Sequence, residues 1–241
     1  MLSGKPWKLE AVLFFWVGVL TCICLGTVAT LAVRMAFPKL PLTDRTFYEF
    51  LVGAAGLQLV PLALTHIFLR QQEVTWGDFM GWNRPSLRGP IGRAILVALV
   101  TVPVALLLNE ASAHVLTWLQ AKPPEQQPTM QVLEISQTFG RRMLFTVTAV
   151  LLAPITEEIL FRGVLYAAVK EMGYPRAALF GTAILFAAIH GSWMTLVPLT
   201  FFAIVQALLY ERTGSLIAPI LSHAIFNSTN ILFYFLQHAS G

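Results

Sequence analysis

Charged side chains are scarce in this chain. Only 12% of its 241 residues are Asp, Glu, Lys or Arg, whereas 56% are hydrophobic. A soluble domain carries about 25% charged residues, so the composition excludes an ordinary soluble globular protein. The mean hydropathy of +0.70 indicates an integral membrane protein whose apolar side chains face lipid and neighbouring helices.

Cysteine is nearly absent, and the sequence has no stripe of alternating basic and aromatic residues. Cys22 and Cys24 are the two cysteines. They point to different faces of a helix and have no metal-ligand partner nearby. The net charge of +4 comes mainly from short loops, where Lys and Arg set topology and contact anionic lipid heads. We therefore expect membrane lipids as partners and no nucleic acid; the oligomeric state stays open.

Long hydrophobic runs, in contrast, fill the chain. Segments long enough to cross a bilayer, which takes about 20 residues, lie at about 11–34, 50–69, 93–118, 143–170, 175–191, 195–210 and 215–236. They predict an all-α integral membrane protein. The expected fold is a bundle of seven transmembrane helices, or eight if a long one breaks, around a polar cavity. The first run exceeds the core of a signal peptide, so we interpret it as a retained helix.

The loops between these segments carry information on topology. Nine Lys or Arg residues lie on the side of the N-terminus and six on the other side, which favours a cytoplasmic N-terminus. The mixed apolar and polar stretch 124–140 predicts an amphipathic helix on the membrane surface. We predict a multi-pass protein of the plasma or inner membrane.

Three of the few charges lie inside the apolar segment 143–170, in the sequence ITEEILFRG. An ionisable side chain at membrane depth costs roughly 2.5–3.5 kcal/mol on insertion scales, so its presence suggests function. Glu158 and Arg162 are four residues apart and can form an ion pair, which leaves Glu157 without a partner in its own helix. An unpaired buried carboxylate suits a general base. The alternative is one packing network of all three side chains.

Two later segments also carry polar residues at helical spacing. Phe186 and His190 are four residues apart in LFAAIHG, and His223 and Asn227 are four apart in LSHAIFNS. Each pair alone is also explained by a hydrogen bond between helices. Because three segments each contribute polar residues in this way, a shared polar site is favoured.

The depths of these residues in the membrane can be compared. If the turn between their helices is near Gly173, Glu157 and His190 lie at similar depths, because a helix rises 1.5 Å per residue, and they can meet across the hairpin. The same arithmetic puts His223 closer to the surface. Either the segment 211–218 then dips into the membrane, or the last helix is tilted or broken near Pro219.

The ordered set of motifs EExxxR, FxxxH and HxxxN resembles the CPBP family, also called Abi or CAAX-protease-like intramembrane proteases, to which the type II CAAX prenyl endopeptidase belongs. The resemblance covers about residues 140 to 230, including the flank TGSLIAPILSHAIFN. It implies one membrane domain, in which 1–139 supply N-terminal helices and an amphipathic connection and 140–236 supply the catalytic helices.

The resemblance also implies a reaction and a role for each matched residue. The protein would be an endopeptidase that cleaves membrane-associated or prenylated proteins or peptides within the membrane. Glu157 would activate a water that His190 helps to hold, while His223 and Asn227 would polarise the scissile carbonyl and stabilise the oxyanion. The supporting residues would be Glu158, Arg162 and Phe186.

The cofactor and the activity itself have alternatives. Glu157, His190 and His223 form a set that could bind zinc, which lowers the pKa of a bound water to about 7, although the sequence has no HExxH motif. We expect a metal-free glutamate mechanism, with zinc as the alternative. Competing functions are a non-catalytic membrane scaffold or bacteriocin self-immunity protein, and a proton-coupled transporter. The absence of inverted-repeat symmetry argues against the transporter.

Overall fold

Helices make up the regular structure of the protein, as described by a computed structural model for residues 7–83, 85–120, 128–136 and 138–238. Over these ranges the chain forms nine helices, and none of the described residues is in a strand. The helices are α1 (Leu9–Ala36), α2 (Leu42–Gln71), α3 (Trp76–Met80), α4 (Arg88–Gln120), α5 (Pro128–Ile135), α6 (Phe139–Glu171), α7 (Ala177–Ala188), α8 (Trp193–Thr213) and α9 (Ile217–His238).

The predicted hydrophobic segments are all helical. Among the described residues, five helices are long and apolar enough to cross a membrane, namely α1, α2, α4, α6 and α8. Helix α7 is a shorter apolar helix, and α9 has 22 residues with several polar side chains. The prediction of an all-α, multi-pass membrane protein is confirmed. Of the predicted surface helix, α5 is helical, and 124–127 and 137 lie outside the described residues.

Helix α6 occupies the interior of the bundle. It contacts α2, α7, α8 and α9, while α4 packs along α8 and α9. Nearly every residue of its segment Ile159–Tyr166 is buried. Helices in a membrane associate through close packing and interhelical hydrogen bonds rather than by excluding water. A helix that is contacted on several sides can therefore hold its polar side chains away from lipid.

Two segments of α6 have the wider π-helical hydrogen-bond pattern, Thr148–Leu152 and Ile159–Tyr166. The first lies just before Pro154, which has no amide hydrogen to donate and therefore disturbs the regular α-helical ladder. Such π-helical turns occur frequently at functional sites. Here they flank Glu157 and Glu158 on both sides.

The turn between α8 and α9 is buried beneath α3. Gly214 ends α8 with φ +55°, a left-handed conformation that glycine adopts without steric cost. The amide of Leu216 and the hydroxyl of Ser215 both donate to the carbonyl oxygen of Met80, at 3.1 and 3.0 Å. This turn is therefore held inside the protein by its contact with α3. The depth of His223 in the membrane stays a prediction.

A local cap fixes the start of α3, the helix that covers this turn. The amide of Asp78 donates to Thr75 Oγ1 at 3.1 Å, as expected for an N-cap. The hydroxyl of Thr75 and the amide of Asn83 donate in turn to the Asp78 carboxylate, at 2.7 and 2.8 Å. These hydrogen bonds lower the pKa of Asp78, because they stabilise its ionised form.

Gly163 allows α3 to pack closely against α6. A Cβ atom at this position would lie 2.5 Å from Cζ of Phe79 and 3.1 Å from Cδ1 of Leu216. Both neighbours are fully buried, so neither can move aside without disturbing the core. This contact joins α6, which carries the EExxxR motif, to α3, which covers the buried turn.

The Gly163→Ala substitution is expected to destabilise the protein by about 1–3 kcal/mol, because an added methyl group overpacks a filled core. The thermal unfolding midpoint in detergent measures this effect. Gly181→Ala is the matched control, since a Cβ there meets nothing within 4 Å. Equal midpoints for the two variants would show that Phe79 adjusts freely.

Candidate active site

Glu158 is the centre of a buried polar network. Its Oε1 accepts hydrogen bonds from Arg162 Nη1 at 2.9 Å and from His223 Nδ1 at 2.8 Å. Arg162 Nη2 donates to the carbonyl oxygen of Ala203 at 3.0 Å. The relative exposures of Glu158, Arg162 and His223 are 0%, 2% and 4%. The predicted ion pair is therefore present, and it also ties α6 to α8 and α9.

The hydrogen bond to Glu158 fixes the orientation of His223. An ionised carboxylate can only accept hydrogen bonds, so the proton of this bond belongs to Nδ1 of His223. The other ring nitrogen, Nε2, is 3.8 Å from Oε2 of Glu157. His223 therefore lies between the two adjacent carboxylates of α6.

Glu157 differs from Glu158 in having no strong partner. Its Oε2 is buried and makes no hydrogen bond within the part of the chain that the structure describes. Its side chain is 21% exposed, against 0% for that of Glu158. The distance to His223 Nε2 is too long for a direct hydrogen bond, but one water can be within about 2.8 Å of both atoms. The arrangement can thus hold a water between a carboxylate and an imidazole.

His190 lies just beyond the end of its helix. The segment predicted as helical over 175–191 ends at Ala188 in the structure, so His190 belongs to the turn that follows. Its Nδ1 is 2.7 Å from the carbonyl oxygen of Phe186. Because that oxygen can only accept, Nδ1 carries the hydrogen and a neutral ring has its lone pair on Nε2. Such a nitrogen can accept a hydrogen bond from water or bind a metal ion.

Phe186 connects the two histidines. Its ring centroid is 4.8 Å from the ring of His190 and 6.0 Å from that of His223. The Arg162 guanidinium lies over the same ring, with its Cζ 4.8 Å from the centroid. Among the described residues, no hydrogen bond or ion pair joins Glu157 directly to His190. The expected meeting of these two side chains is therefore not a direct contact.

Asn227 anchors α9 to α6. Its Nδ2 donates to the carbonyl oxygen of Ala149 at 2.8 Å, within the first π-helical turn. One of its two amide hydrogens is therefore engaged, and one hydrogen and Oδ1 are left. The structure places Asn227 one turn beyond His223, as the four-residue spacing predicts.

The zinc alternative can be compared with this geometry. In the described ranges, no group of three or more His, Cys, Asp or Glu side chains is arranged to hold a metal ion. Nε2 of His223 lies near Oε2 of Glu157, and His190 has its Nδ1 hydrogen bonded in the manner common for ligating histidines. These three side chains do not converge as ligands in the described part of the chain.

Helix α8 contributes residues to the site that the sequence motifs do not include. Phe202 packs against the ring of His223, with centroids 4.9 Å apart. Gln206 is fully buried, and its Nε2 donates to the carbonyl oxygen of Pro219 at 3.1 Å. A glutamine in an apolar helix is a signal that could have been found, whereas Phe202 and the carbonyl of Ala203 have no distinguishing pattern in the sequence.

Comparisons with known proteins agree with these motifs. Residues 139–229 match the family described as type II CAAX prenyl endopeptidase Rce1-like. A Bacillus subtilis protein named "Putative membrane peptidase YdiL" is 25% identical over 217 residues, covering 89% of this chain and 86% of that protein. No solved structure matches the chain. Residues 139–229 therefore form a region similar to the CAAX-protease-like (CPBP) family of membrane proteins.

Proposed function

We propose that this protein is an intramembrane endopeptidase in which Glu157 activates a water. The observation that carries the proposal is the contrast between its two adjacent carboxylates. Glu158 is paired through Oε1 with Arg162 and His223, whereas Glu157 accepts no hydrogen bond from the described residues, is 21% exposed and has its Oε2 3.8 Å from His223 Nε2. Two neighbouring carboxylates with different environments commonly have different roles in a reaction.

The orientation of His223 supports a role at the oxyanion. Its Nδ1–H donates to Glu158 at 2.8 Å, which leaves the other ring nitrogen, Nε2, on the side of Glu157. When Nε2 carries a hydrogen, it can donate to the carbonyl oxygen of a substrate as that oxygen becomes negative.

The proposed reaction has two steps. Glu157 takes a proton from the water while the water oxygen bonds to the carbonyl carbon of the substrate. The resulting oxyanion accepts a hydrogen bond from His223. The carbon–nitrogen bond then breaks, and the Glu157 carboxylic acid returns the proton to the leaving amine. His190 Nε2 would hold the water, and the remaining amide hydrogen of Asn227 would assist the oxyanion. No nucleophilic side chain is needed, because the water supplies the attacking oxygen.

The proposed substrate is a membrane-associated peptide or protein of the CAAX type, with a prenylated cysteine followed by three C-terminal residues. The Rce1-like region supports this, since the family description names CAAX prenyl endopeptidases. A polar site on α6, α9 and the turn after α7 would meet such a substrate without its lipid leaving the membrane. We propose the plasma or inner membrane as its location.

Cleavage of fluorogenic peptides by the purified full-length protein in detergent tests this function. A farnesylated CAAX peptide and the same peptide without the lipid would be compared, each with and without a chelator. We expect cleavage of the farnesylated peptide and no loss with the chelator. Loss that zinc restores would instead support the metal alternative.

Peptide cleavage and proton flux, measured on the same protein, separate the competing functions. If neither peptide is cleaved but proton flux appears in liposomes, the transporter is favoured. If neither activity appears in folded protein, a non-catalytic scaffold or self-immunity function replaces the proposed enzyme.

A further inference from the structure

A groove on the outer face of the bundle, away from the candidate active site, combines two arginines with apolar side chains. It lies between α4 and α8 and has a volume of about 380 Å³, within the range of about 300–1,000 Å³ typical of small-molecule sites. Its lining residues are Arg93, Leu96, Val97, Val205, Leu208, Leu209 and Arg212. These positions recur at three- and four-residue spacing, so each helix contributes one face.

The two arginines lie at one end of the groove, where the side chain of Arg93 contacts the backbone of Arg212. Arg93 Nη1 donates to the carbonyl oxygen of Arg212 at 3.2 Å, which brings the start of α4 to the last turn of α8. Across the described ranges, neither guanidinium forms an ion pair with an acidic side chain. An anion at this end of the groove would be attracted by both positive charges.

The remaining lining residues extend from this charged end towards the middle of the helices. At 1.5 Å per residue, Val97 lies about 6 Å below Arg93, and Val205 lies about 10 Å below Arg212. Leu96 is 64% exposed, as suits a side chain that faces lipid. The groove is therefore cationic at a helix end and apolar below it.

We propose that this groove binds one anionic phospholipid, with its phosphate at Arg93 and Arg212 and an acyl chain along Leu96, Val97 and Leu208. Guanidinium groups bind phosphate through charge-assisted, often bidentate hydrogen bonds. The apolar face below them is complementary to a hydrocarbon chain. Charge and polarity together thus select an anionic lipid over a zwitterionic one, and the site is independent of the proposed peptidase function.

Native mass spectrometry of the full-length protein tests the proposal. The protein would be taken from nanodiscs that contain phosphatidylglycerol and phosphatidylcholine with the same acyl chains. We expect the wild type to retain one phosphatidylglycerol in preference to phosphatidylcholine. The Arg93→Gln/Arg212→Gln variant should lose this preference by about tenfold, since each charge-assisted hydrogen bond to phosphate is strong.

Matched controls distinguish a built site from general charge attraction. Arg70→Gln/Arg176→Gln removes the same charge from two exposed arginines outside the groove and should leave the preference unchanged. Leu208→Trp fills the groove without changing charge and should reduce lipid retention, whereas Leu99→Trp, at an exposed site outside it, should not.

Several results would overturn the proposal. Equal losses in the two double arginine variants would show diffuse attraction to anionic lipid. Full lipid retention by the Leu208→Trp variant would mean that the acyl chain lies outside the groove. A wild-type dimer that dissociates on the Arg93→Gln/Arg212→Gln change would mean that a second copy of the chain occupies the groove.

Discussion

Purified Glu157→Gln protein is expected to lose peptidase activity by about 10²–10⁴-fold, the usual contribution of a positioned general base. Glutamine has nearly the size of glutamate but cannot take a proton from water. Since Oε2 of Glu157 makes no hydrogen bond within the described residues, the substitution removes no strong contact, and folding should be unaffected. The initial rate on the farnesylated peptide and the thermal unfolding midpoint are the two measurements.

Glu110→Gln is the matched control for this experiment. Glu110 is a carboxylate of α4 whose side chain is 71% exposed and lies 3.1 Å from His114. The Glu110→Gln substitution removes the same charge outside the polar network of α6, so peptidase activity should stay at the wild-type level. If Glu157→Gln kept most of its activity while remaining folded, Glu157 could not be the base.

The part of the site that lies within one helix could be predicted from the sequence. Glu158 and Arg162 are four residues apart, and helical geometry alone brings such side chains together; their 2.9 Å ion pair confirms the prediction. The same argument held for His223 and Asn227, which are one turn apart on α9. Hydropathy was also sufficient to locate the helices, because a helix that crosses a bilayer needs about 20 consecutive apolar residues.

Contacts between helices could not be derived in this way. The bond from His223 to Glu158 joins residues 65 positions apart, and it requires α9 to pack beside α6. The start of α9 is held in place by Met80, whose carbonyl oxygen accepts hydrogen bonds from the preceding turn. No local pattern around His223 contains this information, so the sequence left its depth open.

The position of His190 shows a second limit. Four-residue spacing from Phe186 predicts that the two side chains share a helical face, but the helix ends at Ala188 and Gly191 takes φ +66°. The two rings are near each other, with centroids 4.8 Å apart, but the hydrogen bond that forms is from the ring nitrogen of His190 to the backbone of Phe186. The spacing was informative about proximity and uninformative about the atoms that meet.

Breaking the buried ion pair is expected to have the largest effect on stability. Arg162→Met leaves Glu158 without its cation at a site with 0% exposure, and removal of one partner of a buried pair costs about 3–5 kcal/mol. Glu158→Gln leaves Arg162 uncompensated and should cost a similar amount. Reversible unfolding of each purified variant in mixed micelles measures the free energy of unfolding.

The double variant Glu158→Gln/Arg162→Met separates the ion pair from the rest of the network. Because it removes both charges, its loss of stability should be smaller than the sum of the single losses, with a coupling at or above the upper end of about 0.5–3 kcal/mol. Additive losses would mean that the guanidinium acts mainly through the carbonyl of Ala203 and the ring of Phe186. If the double variant recovers stability but not peptidase activity, the ion pair has a second role. The Glu158 carboxylate then positions His223 towards Glu157. The amide of a glutamine has the same shape but forms a weaker hydrogen bond to His223.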